Sequence, residues 1–341
     1  MAGDEMVLVE RLVKVYPGGT RALAGIDFSV GQGEFFGFLG PNGAGKSTAM
    51  KILATLLKKT SGRALVGGYE VDEEPRAIRR SIGFAMQEVG LDDLSTGRDF
   101  LALQGVLYGQ SMVKARRRAE ELLELVGLGP VAGRRVGTYS GGMRRRIDLV
   151  AALMHRPALL FLDEPTSGLD PQSRLAIWEH LRKLNEEGVT IFLTTQMMEE
   201  ADRLCRRIAI IDRGQIVAQG SPGALKEEVG GDAITVSIAS DGGGSSQVGK
   251  AEVLARERAY VTGVSGDSGS LIIQVRDGSK AVPDLVRVFL EHGVPVGSVS
   301  VASPTLDDVF FKHTGRKIRA EEAGGDEASQ VLRPWLGLKR R

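Results

Sequence analysis

Residues 40–48 read Gly40-Pro41-Asn42-Gly43-Ala44-Gly45-Lys46-Ser47-Thr48. A glycine-rich turn closing in Gly-Lys-Ser wraps backbone N–H groups around a polyphosphate, and the spacing is that of the P-loop, G-x-x-x-x-G-K-[ST]. The motif requires a strand before it and a helix after it. EFFGFL, residues 34–39, is an apolar run suited to a buried strand, and residues 48–57 carry a helical period with Met50, Ile52, Leu53 and Leu56 inward. A helix N-terminus adds unpaired N–H groups and partial positive charge to such an anion site. Lys46 then reaches the terminal phosphates, and the Ser47 hydroxyl ligates Mg²⁺.

Outward from this stretch, the chain carries a second informative run, YSGGMRRRI at 139–147. Ser140 suits an N-cap, and 143–155 reads as a helix. Gly141 and Gly142 exceed what capping needs and leave bare N–H groups at a positive helix end, as a close phosphate requires. The P-loop already holds its own phosphates, so this site points to a nucleotide carried by a second copy of the chain. An ordinary glycine-rich helix entry is the alternative.

ALLFLD, residues 158–163, is a continuous apolar run typical of a strand buried on both faces of a parallel sheet. It ends in Asp163 and Glu164, at the edge where α/β sheets bind ligands. Asp163 can hold Mg²⁺ through water, and Glu164 can act as general base toward an attacking water. Asp170 before Pro171 has a complete structural role as N-cap, with Pro171 as the first helical residue. The strand 189–195 runs into Gln196, and IAIIDRGQIVAQG closes the domain as a β-hairpin.

Upstream, residues 6–15 and 25–30 alternate as two antiparallel strands around the turn Tyr16-Pro17-Gly18-Gly19. Taken alone, Tyr16 covers a sheet edge. The strand SIGFAM (81–86) leads into Gln87, either an ordinary loop residue or an amide that joins Mg²⁺ to water or phosphate. From about 94 to 155 the pattern is helical, with arginines 116–118 and acids 120, 121 and 124 as a solvated face.

Composition limits the remaining options. The 341 residues suffice for one large α/β domain plus a small one. With 44 basic and 43 acidic residues, the net charge of +1 gives no basis for bulk nucleic-acid affinity. No stretch has the roughly 18 apolar residues of a membrane span, and the N-terminus has acids where a secretory signal has bases. Cys205 is the single cysteine, which fits a reducing, cytosolic setting.

Five motifs in this order resemble the ATP-binding cassette (ABC) family over roughly residues 7–220. The resemblance implies ATP and Mg²⁺ as ligands, with Gly40 to Thr48 as P-loop, Tyr16 stacking on adenine, and Gln87 on the metal. It further implies Ser140, Gly141 and Gly142 as the signature engaging ATP in trans, and Asp170 in the loop at the dimer boundary. A head-to-tail homodimer sandwiching two ATPs follows. Most cassettes carry a histidine where this chain has Gln196, which donates an amide hydrogen bond but carries no proton or charge. Glu164 then keeps the base role, Gln196 senses γ-phosphate, and hydrolysis is expected to be slow.

TTQMMEEAD, YSGGMRRRIDL and SPTLDDVFFKHTG (303–315) resemble the daunorubicin-resistance type of exporter ATPase. That family implies a separate membrane permease and a position on the cytoplasmic face of the membrane, with cargo set by the permease: a drug, or else a lipid, polysaccharide or ion. A soluble cassette acting on ribosomes or DNA is the rival; those usually carry two cassettes or a coiled-coil insertion.

The expected fold is therefore an α/β P-loop ATPase domain over 1–224, with a mixed sheet core, an antiparallel β subdomain and a helical subdomain near 90–155. Residues 225–315 follow as a small α+β unit in the order βαββαβ, ferredoxin-like, with strands near 233–239, 259–266, 271–277 and 294–302. Leu306, Val309 and Phe310 pack onto this unit or against the dimer mate. Residues 316–341 read as a flexible tail, and its Trp335 and basic end could alternatively touch lipid or permease.

Overall fold

The computed structural model describes residues 5–86, 90–238, 244–267 and 269–315. The chain divides into two compact units, one through Pro222 and one from Gly223.

In the first unit, β1 (Glu5–Val15) and β2 (Arg21–Gly31) pair antiparallel. β3 (Phe35–Leu39) delivers the glycine loop, and α1 (Lys46–Leu53) follows it. β4 (Ser61–Val66), β5 (Tyr69–Glu70), α2 (Pro75–Ser81) and β6 (Ile82–Ala85) come next. The helical segment contains α3 (Gly97–Leu107), α4 (Met112–Leu125) and α5 (Gly141–Ala151). The chain then alternates β7 (Leu159–Asp163), α6 (Pro171–Glu186), β8 (Thr190–Thr195), α7 (Met198–Leu204), β9 (Arg207–Asp212) and β10 (Gln215–Gly220).

Two sheets result. One is ordered β2-β1-β4-β5; the other is ordered β10-β9-β3-β8-β7-β6, parallel except for β10. β3, β7 and β8 are buried along their whole length, as expected of strands covered on both faces. Phenylalanines join the layers. The ring of Phe192 on β8 lies 5.5 Å from Phe36 and Phe161, 5.8 Å from Phe38 and 5.9 Å from Phe28 of the antiparallel sheet. One side chain thus binds both sheets into a common core.

The second unit begins around α8 (Pro222–Val229) and continues with β11 (Asp232–Ile238), α9 (Gly244–Arg256), β12 (Val261–Asp267), β13 (Ser270–Val275), α10 (Gly278–Glu291), β14 (Val296–Ala302) and α11 (Leu306–Thr314). Its antiparallel sheet is ordered β12-β13-β11-β14, the arrangement of the expected split βαββαβ unit. Ile234, Val236, Leu271, Ile273, Leu285 and Phe289 are buried in its own core. Leu306, Val309 and Phe310 are buried within the chain.

Some sequence expectations shift. The helix expected over 48–57 runs from Lys46 to Leu53, because Thr55 takes a left-handed φ of 60° and turns the chain. Met50, Ile52 and Leu53 are buried as expected, but Leu56 lies past that turn and is exposed. The helix expected over 143–155 is Gly141–Ala151, and SIGFAM forms a strand only over Ile82–Ala85, leaving Met86 half-exposed. Among the described residues, no helix is long and apolar enough to cross a membrane. Gln87 and the 316–341 segment lie outside the described residues.

Truncating Phe192 to Ala removes the ring shared by both sheets. It should lower unfolding stability by about 3–5 kcal/mol, measured by denaturant titration at constant m.

Burial holds His155 and His180 below the ordinary imidazole value. The unfolded chain then binds more protons than the folded one, so stability is present above the ordinary value of 6.5 and is lost as pH falls through it. The melting temperature of a His155→Gln, His180→Gln variant should fall less steeply from pH 7 to pH 5 than that of the parent; equal slopes would contradict the burial argument.

Candidate active site

The glycine loop adopts backbone that few residues other than glycine could take. Gly43 and Gly45 have φ of 76° and 111°, in the left-handed region that a Cβ disfavours. A Cβ on Gly45 would also lie 2.6 Å from the Ala22 carbonyl, and one on Gly40 would strike the Ile211 carbonyl. Pro41, Ala44 and Lys46 are buried, whereas Asn42 and Gly43 are exposed on the loop's outer side. The Gly214 N–H donates to Ala44 O at 2.9 Å, so the turn after β9 braces the loop from behind.

Strand order brings the remaining groups here. β8 lies between β3 and β7, so the ends of all three strands are adjacent. Lys46 Nζ donates to Gly40 O at 2.8 Å and Pro41 O at 3.1 Å, and pairs with Glu164 Oε1 at 3.2 Å. Both charged side chains are almost fully buried. Burial lowers the lysine pKa, and the charges of Glu164 and Asp163 oppose that shift. The Ser47 hydroxyl donates to Asp163 Oδ1 at 3.0 Å, and Thr194 Oγ1 also donates to that oxygen.

Glu164 has a φ of 46°, a strained conformation for a residue with a Cβ. Its N–H donates to Thr194 O at 3.0 Å, which holds the strained residue against β8. Gln196, half-buried, immediately follows β8, and Thr195 O accepts from the Gly40 N–H at 3.2 Å. Tyr16 stands by the first turn of α1, its hydroxyl 3.3 Å from Thr48 Oγ1 and its ring 5.3 Å from Lys14 Nζ.

Ser140 caps α5 by accepting from the Met143 N–H at 3.3 Å. Gly141 is exposed, with nothing within 4 Å of where a Cβ would stand, whereas a Cβ on Gly142 would lie 2.7 Å from Ser173 Oγ. The second glycine therefore has a packing reason within its own chain. Asp170 caps α6 by accepting from the Ser173 N–H at 2.9 Å. Among the described residues, no hydrogen bond or ion pair joins Ser140, Gly141 or Gly142 to residues 40–48.

Three groups at this edge, two of them buried and the third partly so, escape a motif reading. Arg145 Nε donates to Pro165 O at 2.7 Å and Nη2 to Asp163 O at 3.1 Å, while Nη1 reaches Met86 O and Asp148 Oδ2, the latter at 3.1 Å. Burial pushes the Asp148 carboxyl up to about 6, against the pull of Arg145. Glu200 Oε1 accepts from Thr166 Oγ1 at 2.7 Å and Trp178 Nε1 at 2.9 Å, and burial raises its pKa. One signal for Arg145 did stand in the sequence. Arg144, Arg145 and Arg146 fall near the positive end of α5, where cations are disfavoured unless anchored elsewhere.

The donor set is chemically suited to a nucleotide with a hard divalent cation. Ser47 and Asp163 present oxygens, the ligands Mg²⁺ takes, and the glycine loop offers backbone N–H groups and a lysine to phosphate.

Comparison with known proteins agrees. The ABC transporter family profile matches residues 23–167, and that of the DrrA1-3-like C-terminal domain of ATP-binding proteins matches residues 220–314. The chain is 43% identical over 318 residues to the daunorubicin resistance ATP-binding protein DrrA2 of Streptomyces coeruleorubidus, covering 93% of this chain and 97% of that one. It is 39% identical to the linearmycin resistance ATP-binding protein LnrL of Bacillus subtilis (strain 168), over 92% of this chain and all of the relative. A dimeric ATP-binding cassette solved in a post-hydrolysis state with ADP and Pi is similar at a TM-score of 0.59 and 29% identity, covering 63% of this chain and 98% of that one. A nucleotide-binding ATPase fold, a DrrA-like second unit and relatives matched along nearly their full length give one assignment: this chain belongs to the ATP-binding cassette family, among the daunorubicin-resistance type of ATP-binding proteins.

Proposed function

We propose that this chain is the ATP-hydrolysing subunit of a drug exporter, docked at the cytoplasmic face of the membrane on a separate permease and working as a head-to-tail homodimer. The observation that carries the hydrolytic reading is the convergence of Lys46, Ser47, Asp163 and Glu164 at one sheet edge. The names of the relatives support the exporter reading, and because they are named for daunorubicin and linearmycin, they leave the cargo class broad.

In this reading Lys46 holds the β- and γ-phosphates, exchanging its bonds to Gly40 O, Pro41 O and Glu164 for phosphate oxygens. The exchange frees the Glu164 carboxylate to accept a proton from the attacking water. Ser47 and Asp163 would hold Mg²⁺, with Gln87 as a further ligand, and the ion, when bound, would supply positive charge against the transferred phosphoryl group. Gln196 donates its amide to the γ-phosphate, and Tyr16 stacks on adenine. In the dimer, Ser140, Gly141 and Gly142 present N–H groups to the nucleotide on the partner, and Asp170 lies along the boundary. The open space beside Gly141 is what a phosphate approaching from another chain needs.

Energy transfer is mechanical: the closed dimer gains phosphate contacts that the open one lacks, and this differential affinity drives the switch. Two subunits close on ATP and part after hydrolysis. Residues 1–224 form the motor in this scheme, and residues 225–315 an accessory unit with no catalytic role.

Replacing Glu164 by Gln should abolish turnover and trap an ATP-bound dimer on size-exclusion chromatography; a chain that stays monomeric with ATP would count against the sandwich. Removing one hydrogen-bond donor with Gln196→Ala should slow steady-state hydrolysis by roughly 10-fold or more. Turnover at the parent rate would remove Gln196 from the mechanism.

A further inference from the structure

Arg145 takes no part in the steps above, yet its guanidinium meets three carbonyls from two strand ends. Nε and Nη2 bond the carbonyls of Pro165 and Asp163, the residues on either side of Glu164. Nη1 bonds the carbonyl of Met86, just beyond β6, and pairs with Asp148 on Arg145's own helix. The arginine is 5% exposed, so these bonds are shielded from water. A planar fork of fixed N–H donors suits this arrangement, whereas the single ammonium of lysine does not.

We infer that Arg145 is a positioning residue that couples the two nucleotide sites of the dimer, transmitting engagement of α5 by the partner's nucleotide to Glu164 of its own chain. The inference rests on the sandwich reading above. Arg145 lies five residues beyond Ser140, about 7.5 Å along a rigid helix, so a shift of the α5 N-terminus carries the guanidinium with it. Glu164 is held from two sides. Its N–H is fixed to Thr194 on β8, in the middle of the sheet, while the carbonyls flanking it are fixed to Arg145 on α5.

β8 is hydrogen-bonded on both sides, to β3 and β7, whereas α5 is not part of that sheet, so in this proposal the arginine is the side of the clamp that shifts. Glu164 sits at a φ of 46°, a conformation that persists only under such external restraint. Misplacing a catalytic group by about 1 Å costs on the order of 100-fold in rate. Small motions of α5 thus suffice to switch the base between productive and unproductive positions. The three carbonyls also tie together the ends of β6 and β7.

The test uses the full chain carrying Arg145→Lys and, separately, Arg145→Gln. ATP affinity is measured by equilibrium dialysis, hydrolysis as a function of ATP concentration, and folding by thermal melting. The expected result is an ATP Kd within about 2-fold of the parent, a kcat lower by roughly 10-fold or more, and a Hill coefficient falling from above 1 in the parent to 1 in both variants. Unchanged kcat and Hill coefficient would overturn the inference, as would a parent coefficient of 1. Parallel losses of kcat, ATP affinity and melting temperature in both variants would reduce Arg145 to a structural tie and also overturn it. Sizing of Glu164→Gln with ATP, alone and combined with Arg145→Lys, separates the two readings. If Glu164→Gln alone fails to dimerise, both fall; if both proteins dimerise and Arg145→Lys turns over normally, only the coupling falls.

Discussion

The buried ion pair of Lys46 and Glu164, 3.2 Å apart, is the constraint on which the rest of the first unit depends. Neither charge is stable in that setting alone, since burial penalises each and only the partner and nearby carbonyls compensate. To place them together, β8 must lie between β3 and β7, so that the loop after one strand faces the residue after another two positions across the sheet. The lysine charge is further satisfied by Gly40 and Pro41 carbonyls, which explains why the loop folds back on its own side chain.

Around that pair the fold is a set of braces. Thr194 bonds both Asp163 and the backbone of Glu164, so one hydroxyl-bearing residue of the central strand positions both carboxylates. The phenylalanine cluster fixes the antiparallel sheet to the mixed sheet and thereby sets Tyr16 beside α1. Arg144, Arg145 and Arg146 anchor the start of α5 in three directions, to Asp93, to the ends of β6 and β7, and to the Val126 carbonyl. Helix-dipole repulsion alone would make such a cluster unfavourable; three sets of acceptors make it a fastening.

The second unit contrasts with this. Its core is mainly aliphatic around the single buried ring of Phe289, and its sheet is the split βαββαβ arrangement.

The sequence by itself determined the phosphate loop, the alternation of strands and helices, the caps Ser140 and Asp170, and the order of the second unit. Each of these is written in a local pattern: a spacing of glycines, a period of two or 3.6, or a polar residue before a helix. Asp163 and Glu164 were also legible, because an apolar strand ending in two carboxylates is a local signal with a known geometric consequence. What tertiary structure alone decided is which strand ends meet. It turned Leu56 outward through the left-handed Thr55, gave Gly142 a packing partner in Ser173, buried Glu200 under Trp178, and bound Arg145 to carbonyls 18 and 59 residues away. Those outcomes depend on contacts between segments distant in sequence, and a local period reports the face a residue takes on its own element, never the neighbour that face will find.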